Sequence, residues 1–368
     1  MYKKLVKKIN YIAELNLPST SAHSIHVMKM CNAFAKEGHE INLYIYSKKS
    51  NFDLFTFYNC KKFKIFSLSF FKSNNFLTRI LLALKVFIVF ALKDRSNIII
   101  SRSVISVLFL SIFTKNIILE IHHELNSFTK FLFNMIKYFY FFKKIKFIFI
   151  SKNLPKKFDI KKNKFIILDD AVDLDDFNLK RRKKKVFKDT CVYCGSFSKG
   201  KGVENILKIS NITKNIRYHL YGDLVNSNLK LNEIKKYKNV TYKGFAKYKD
   251  IPQILSRYNV LLLPYSKKVY VRSKNIEVGR YMSPMKLFDY LASKKIIIAS
   301  NLKVYSHILN TKNSVLINPN RLKTWAKKIE LIFYDTSKYS HLKKNSFKTA
   351  EKYTWALRIK KILNFVNV

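Results

Sequence analysis

Apolar residues along this chain follow two alternating rhythms. INYIAEL (residues 9–15) and EINLYIYS (40–47) read as strands, and in the second Ile41, Leu43 and Ile45 occupy every other position. Between them, SIHVMKMCNAFAKEG (24–38) sets Ile25, Met28, Cys31 and Ala35 on one helical face and stops at Gly38. NIIIS (97–101), NIILEIH (116–122), KFIFIS (146–151) and KFIILDDAVD (164–173) continue the strand series. A second series follows: strand TCVYCGSF (190–197), a glycine loop, helix VENILKIS (203–210), and strands IRYHLYG (216–222) and NVTYKGF (239–245). Helix DIPQILSRY (250–258) and strand NVLLLPY (259–265) complete it, before a last helix–strand pair, SPMKLFDYLASKKIIIAS (283–300). Strand–helix alternation of this kind predicts an α/β protein with parallel sheets covered by helices on both faces.

The alternation breaks once, at NLKRRKKKVFK (178–188), where a basic run at 181–185 reads as a solvated linker. The expected organisation is an N-terminal domain over 1–177, a linker over 178–188 and a C-terminal domain over 189–345. A closing segment, 346–368, ends in the helical pattern YTWALRIKKILNFV. Two halves of this type bind ligands outside the carboxyl ends of their strands. G-x-G-x-x-G is absent, which disfavours a dinucleotide site.

Two segments bear on membranes. FLTRILLALKVFIVFAL (76–92) is apolar but interrupted by Arg79 and Lys85, and spanning needs about 20 nearly uncharged residues. It reads as a buried or interfacial helix. Residues 128–151 mix aromatics with lysine, which suits either a core helix and strand or a helix lying on an anionic bilayer. The basic N-terminus has a short apolar run containing Glu14 and lacks the pattern of a signal peptide.

Composition sharpens the partner question. The chain has 71 basic residues against 23 acidic ones, a formal charge of +48. Such a charge favours anionic surfaces and substrates. Only 11 of the 71 are arginine, however, and the chain is also rich in Asn, Ile, Phe and Tyr, an even spread that fits A/T-biased coding. No nucleic-acid motif accompanies the charge, so nucleic acid is not an expected partner. Cys191 and Cys194 form a C-x-x-C on a strand, where positions i and i+3 face opposite ways, and no second pair stands at zinc spacing. They read as buried thiols in a reducing compartment.

Candidate chemistry concentrates in YMSPMKLFDYLASKKIIIAS (281–300). Pro284 suits the first helical position and Ser283 suits the N-cap. A helix N-terminus there is either an ordinary capped end or an anion site. Lys201, in the loop GSFSKGKG, is by residue type alone a solvated lysine or a phosphate ligand. His122 is a structural histidine or a site residue by the same standard.

Taken in order, the motifs resemble the retaining group 1 glycosyltransferases, glycosyltransferase family four, over nearly the whole chain. PSTSAHSIHVMKMCNAFAKEGHEINLY, SRS (101–103), LEIHHE (119–124), ISKNL, LDDAVDLDDF, YCGSFSKGKGVENIL and SPMKLFDYLASKKIIIAS carry the resemblance. It implies a GT-B fold, two Rossmann-like domains facing across a cleft, with the C-terminal helix crossing back to the first domain. It further implies sugar transfer from a nucleotide sugar to a cell-surface glycan or lipid-linked acceptor, with no metal and no cofactor. The expected place is the cytoplasmic face of a bacterial inner membrane, bound peripherally. By matched position, Lys201 pairs with the diphosphate, helped by Lys199, and His122 touches the donor sugar. Gly195 and Ser196 open the loop, and Ser196 stands where the family has arginine. Asp289 matches the second acid of the family's E-x7-E motif, which holds the ribose. Tyr281 stands in place of the first acid. Ser283, Pro284, Met285 and Lys286 border the donor. Three other readings stay open: a nucleotide-sugar epimerase of the same fold, a basic nucleic-acid-binding protein, which the charge favours, and a non-catalytic membrane-associated protein.

Overall fold

The structure is a computed structural model describing residues 6–49, 51–68, 76–91, 98–114, 116–125, 127–179, 186–224, 227, 229–271 and 274–367. The chain divides into two compact units, residues 1–169 with 355–368, and residues 170–354.

The first unit is built on strands β1 (Lys8–Ile12), β2 (Glu40–Ile45), β3 (Lys64–Ser67), β4 (Ile98–Ser101), β5 (Ile117–Ile121), β6 (Ile145–Phe149) and β7 (Phe165–Ile167). They form a parallel sheet in the order β3-β2-β1-β4-β5-β6-β7. β4 and β5 are buried along their whole length, which is why they read as nearly continuous isoleucine and leucine runs, interrupted in β5 by the buried Glu120. The strand order reverses between β1 and β4, so their following loops diverge and open a crevice at the carboxyl edge. The helix Ala22–Lys36 after β1 starts two residues before its apolar pattern, because the Ser21 hydroxyl accepts the Ser24 N–H at 3.2 Å. Gly38, at φ +84°, lets the chain turn out of it.

The second unit repeats the plan with β8 (Thr190–Cys194), β9 (Arg217–Tyr221), β10 (Val240–Tyr242), β11 (Val260–Leu263), β12 (Ile296–Ser300) and β13 (Val315–Ile317). The order is β10-β9-β8-β11-β12-β13, all parallel. Alternate residues feed the cores on its two faces. Val192, Leu261, Leu263 and Ile297 enter one, while Cys191, Tyr193, Val260 and Leu262 enter the other. Cys194 joins the first core and Cys191 the second, so the C-x-x-C faces two ways, and both thiols are free.

The unit boundaries differ from those read along the sequence. Residues 170–177 join the second unit because the Asp170 N–H donates to Ser283 Oγ at 2.9 Å and the Val172 N–H to Tyr353 O at 2.9 Å. Helix Ser340–Ala350 stays with that unit through the buried Leu342 and Ala350. Only the final helix, Trp355–Asn367, groups with the first unit. There the Lys146 ammonium donates to Phe365 O at 2.7 Å. The expected linker is shorter than its charge suggests. The Phe187 N–H bonds Arg257 O at 2.9 Å, and the Arg257 guanidinium lies 4.4 Å from the Phe187 ring. The basic run itself, 180–185, lies outside the described residues.

Among the described residues no helix is long and apolar enough to cross a membrane. Helix Phe76–Ala91 turns Thr78, Leu82, Ala83 and Val86 inward and leaves Leu77, Leu84 and Ile88 exposed. The 128–151 segment resolves into helix Ser127–Ile136, a short 3₁₀ turn and β6. Its strand is core, as one of the two readings had it, while Phe128, Phe131 and Met135 on the helix are exposed.

Candidate donor site and a buried carboxylate cluster

The carboxyl ends of β8 and β11 carry the cluster in the second unit. Residues 195–202 leave β8 as a tight loop, and Lys201 is fixed in it by its N–H bond to Ser198 O at 3.0 Å. The loop packs so closely that a Cβ at Gly202, φ +85°, would fall 1.8 Å from Pro264 O. Lys201 Nζ lies 4.7 Å from the centre of the Tyr265 ring. Burial lowers its pKa to about 8. Lys199 is exposed, with Nζ 5.3 Å from the Tyr270 ring. Ser196 presents no cation, and its carbonyl accepts the Tyr193 hydroxyl at 2.7 Å.

Helix Met285–Ala292 borders the same region. Its N-cap is Pro284, extended at φ −78° and ψ 123°, with no side-chain cap. This corrects the expected Ser283 cap. The Ser283 hydroxyl instead accepts the Asp170 N–H. Met285 is buried, and Lys286 folds over Gly195, its Cε 2.3 Å from where a Cβ there would be. Asp289 is 5% exposed, and its Oδ1 accepts the Tyr248 hydroxyl at 3.0 Å. Tyr248 escaped the sequence reading because it lies in a separate short 3₁₀ turn, 41 residues away. Burial first, and the Asp289 charge next, raise its pKa well above the ordinary value, so it remains a donor. Tyr281 is 7% exposed and carries no acid where the matched motif has one.

A second cluster lies in the first unit. Glu120, at the end of β5, accepts from Tyr11 through Oε2 at 3.0 Å and from Arg358 through Oε1 at 2.5 Å. His26 and His122 each place Nε2 at 2.9 Å from the same Oε1. Arg358 also bonds the carbonyls of Leu168 and Asp169, and Trp355 lies edge-on to His26 at 5.1 Å. Burial pushes the Glu120 carboxyl up, but His26, Arg358 and His122 together hold it well below its usual range. An ionised carboxylate only accepts, so His122 Nε2 carries the proton and Nδ1 keeps its lone pair. Burial, followed by the Arg102 charge, outweighs Glu120 and lowers the His122 pKa to about 3. The imidazole is therefore neutral at ordinary pH. By distance alone, His26, Glu120 and His122 would suit a metal ion, their donors lying within 4.8 Å of one another. The guanidinium already seated on Oε1 opposes a cation there. Sequence reasoning selected His122 but gave Glu120 no role. The partners of Glu120 come from positions 11, 26, 122 and 358, too far apart to signal one another.

The structure has the GT-B fold. It is similar over 98% of its length to 98% of a glycosyltransferase from Rickettsia africae, at 14% identity and a TM-score of 0.74. HepE from Anabaena, solved with UDP and with UDP-glucose, matches at 12% identity and a TM-score of 0.69, covering 97% of this chain and 99% of that one. WaaG, a glycosyltransferase involved in lipopolysaccharide biosynthesis, matches at 10% and 0.64 over 97% and 99%. No curated protein matches the chain by sequence. The protein is an enzyme of the glycosyltransferase class. Residues 175–349 match the model of the glycosyl transferases group 1 family, a span holding Lys201, Lys286 and Asp289.

Proposed function

We propose that the protein transfers a sugar, most simply a hexose, from a uridine diphosphate sugar to a cell-surface glycan or lipid-linked acceptor, with retention and without a metal. The observation that carries this reading is the pair of lysines, Lys201 and Lys286, beside the buried carboxylate Asp289. Loss of a nucleoside diphosphate puts negative charge on the leaving phosphates, and fixed cations stabilise it without reorganising. UDP is the chosen nucleotide because HepE was solved with it. Asp289 has acceptor capacity beyond the Tyr248 bond and is assigned to the ribose hydroxyls. His122, neutral with an accepting Nδ1, is assigned to a donor-sugar hydroxyl. Retention and membership of glycosyltransferase family four rest on the motif resemblance.

Titration calorimetry tests the donor assignment. Asp289→Ala weakens UDP and the intact donor by similar factors, about one to two decades, the worth of a charge-assisted hydrogen bond of ~1.5–3 kcal/mol. Asp289→Asn falls between wild type and Ala. A purely structural Asp289 would lower the melting temperature and leave UDP affinity unchanged.

A peripheral membrane site on the cytoplasmic face accompanies this reading. Phe128, Phe131, Met135, Leu77 and Ile88 are exposed on two neighbouring helices, joined where Arg79 donates to Thr129 Oγ1 at 3.2 Å. Lys85 and Lys130 are exposed on the same two helices, and the whole chain carries a charge of +48. The protein is expected to float with anionic vesicles and to detach as salt rises. Undiminished binding to neutral vesicles in high salt would remove the electrostatic part, and failure to bind any vesicle would remove the membrane site.

A further inference from the structure

Lys286 is the second residue of helix Met285–Ala292, and although the residue is only partly buried, its ammonium nitrogen is turned away from solvent. Nζ lies 3.5 Å from the centre of the Tyr193 ring and 5.3 Å from that of Tyr265, the ring that Lys201 also approaches at 4.7 Å. A Cβ on Gly195 would fall 2.4 Å from Nζ, so only glycine leaves room for it. Nζ is buried and has no hydrogen-bond partner among the described residues. A buried ammonium without a partner is costly, and a second cation nearby raises the cost.

The groups around it offer little compensation. Lys201 opposes its charge, and Asp289 favours it. Burial pushes the Cys194 thiol up to about 12, so it supplies no anion at ordinary pH. Tyr193, Tyr265 and Tyr290 are all raised by burial and remain neutral phenols. Asp289 is therefore the one anion facing Lys286 among these groups, and it also accepts from Tyr248. Burial, then Lys201, lowers the Lys286 pKa well below the lysine value.

The matched family motif has arginine at the place of Ser196, and here the loop supplies none. The Lys286 ammonium instead arrives from the helix side and lies against the neighbouring Gly195. The helix end beneath it has no side-chain cap. We propose that Lys286 is the second diphosphate-binding cation of this site, in place of the arginine absent at position 196, and that it gains its proton from solvent as the diphosphate enters. The proposal rests on the donor-site reading above and adds a linkage to it: donor binding consumes a proton. In the free protein the ammonium would face Lys201 with little to balance it. In the complex two phosphate groups supply the missing charge, and protonation becomes favourable.

Calorimetry of UDP in three buffers of different ionisation enthalpy measures the proton count directly. At about pH 8.5, below the unperturbed lysine value near 10.4, the phosphates of UDP are fully ionised and contribute no exchange, and any uptake at Lys201, whose pKa is about 8, is common to wild type and both variants. Wild type takes up about one proton more per UDP than either Lys286→Met or Lys286→Arg. Lys286→Met, an isostere without the charge, loses about tenfold or more in UDP affinity and melts no lower than wild type without ligand. Lys286→Arg keeps most of the affinity and loses the proton uptake. Equal uptake in wild type and both variants overturns the proposal while leaving the donor site intact, as does unchanged affinity in Lys286→Met. If wild type binds neither UDP nor any other common nucleoside diphosphate, the donor-site reading fails, and this proposal fails with it.

Discussion

Lys201→Ala is expected to slow sugar transfer about 10²–10³-fold, the loss measured when one fixed donor to a developing oxyanion is removed. Donor affinity should fall far less, because charge on the leaving diphosphate grows toward the transition state. Lys199→Ala serves as the control, since that residue is exposed and lies over Tyr270. Release of the nucleoside diphosphate, in single-turnover and steady-state assays, separates the two effects. Similar and near-wild-type rates in both variants would contradict the loop assignment. A second readout follows from the lowered Lys201 pKa of about 8. Between about pH 8 and the unfolded value near 10.4, the unfolded chain holds more protons at this residue than the folded one. Folding stability contributed by Lys201 therefore rises with pH across that window, and Lys201→Ala flattens the rise.

Arg358→Met is expected to destabilise the first unit by about 3–5 kcal/mol, the usual cost of stranding one partner of a buried ion pair. The variant leaves Glu120, 2% exposed, without its guanidinium, and frees the carbonyls of Leu168 and Asp169. Glu120→Gln in the same background should cost much less than the two single changes together, because the pair then no longer holds a stranded charge. Denaturant melts of the four proteins check both statements, and additive losses would show that Arg358 and Glu120 do not act as one unit. The pH dependence runs the same way for both groups at this site. Glu120 is depressed, so its contribution is present above the unfolded carboxylate value near 4.3 and is lost as pH falls through its lower folded value. His122, about 3 in the fold, stays neutral while the unfolded chain protonates below about 6.5. Acid therefore weakens the first unit from about pH 6.5 downward.

The alternation of strands and helices, with the isoleucine runs of β4, β5 and β12, made the two parallel α/β sheets legible, because residues buried on both faces leave continuous apolar stretches. The glycine loop and helix Met285–Ala292 were legible for the same local reasons. What depends on distant partners was not. The role of Ser283 is set by a backbone N–H 113 residues away, and the boundary near residue 170 by Tyr353. Helix Leu322–Tyr334, which covers one face of the second sheet through Trp325 and Ile329, was not singled out in the sequence. Lys286 could be placed at a helix entrance, but nothing in a chain so rich in lysine marks one ammonium as buried against Tyr193. The Glu120 cluster shows the same limit, since Tyr11, His26 and Arg358 become a site only when the sheet and the last helix assemble.

The second unit is expected to bind a nucleotide-sugar donor through Lys201, Lys286 and Asp289. Thermal melting across a panel of nucleoside diphosphates and nucleotide sugars tests it most directly. A cognate donor at ~100 times its dissociation constant should add ~2.7 kcal/mol of stability. The melting temperature of wild type should rise with uridine nucleotides, and the rise should be lost in Lys201→Ala and Asp289→Ala. A panel in which no nucleotide or nucleotide sugar moves the wild-type melt would contradict it.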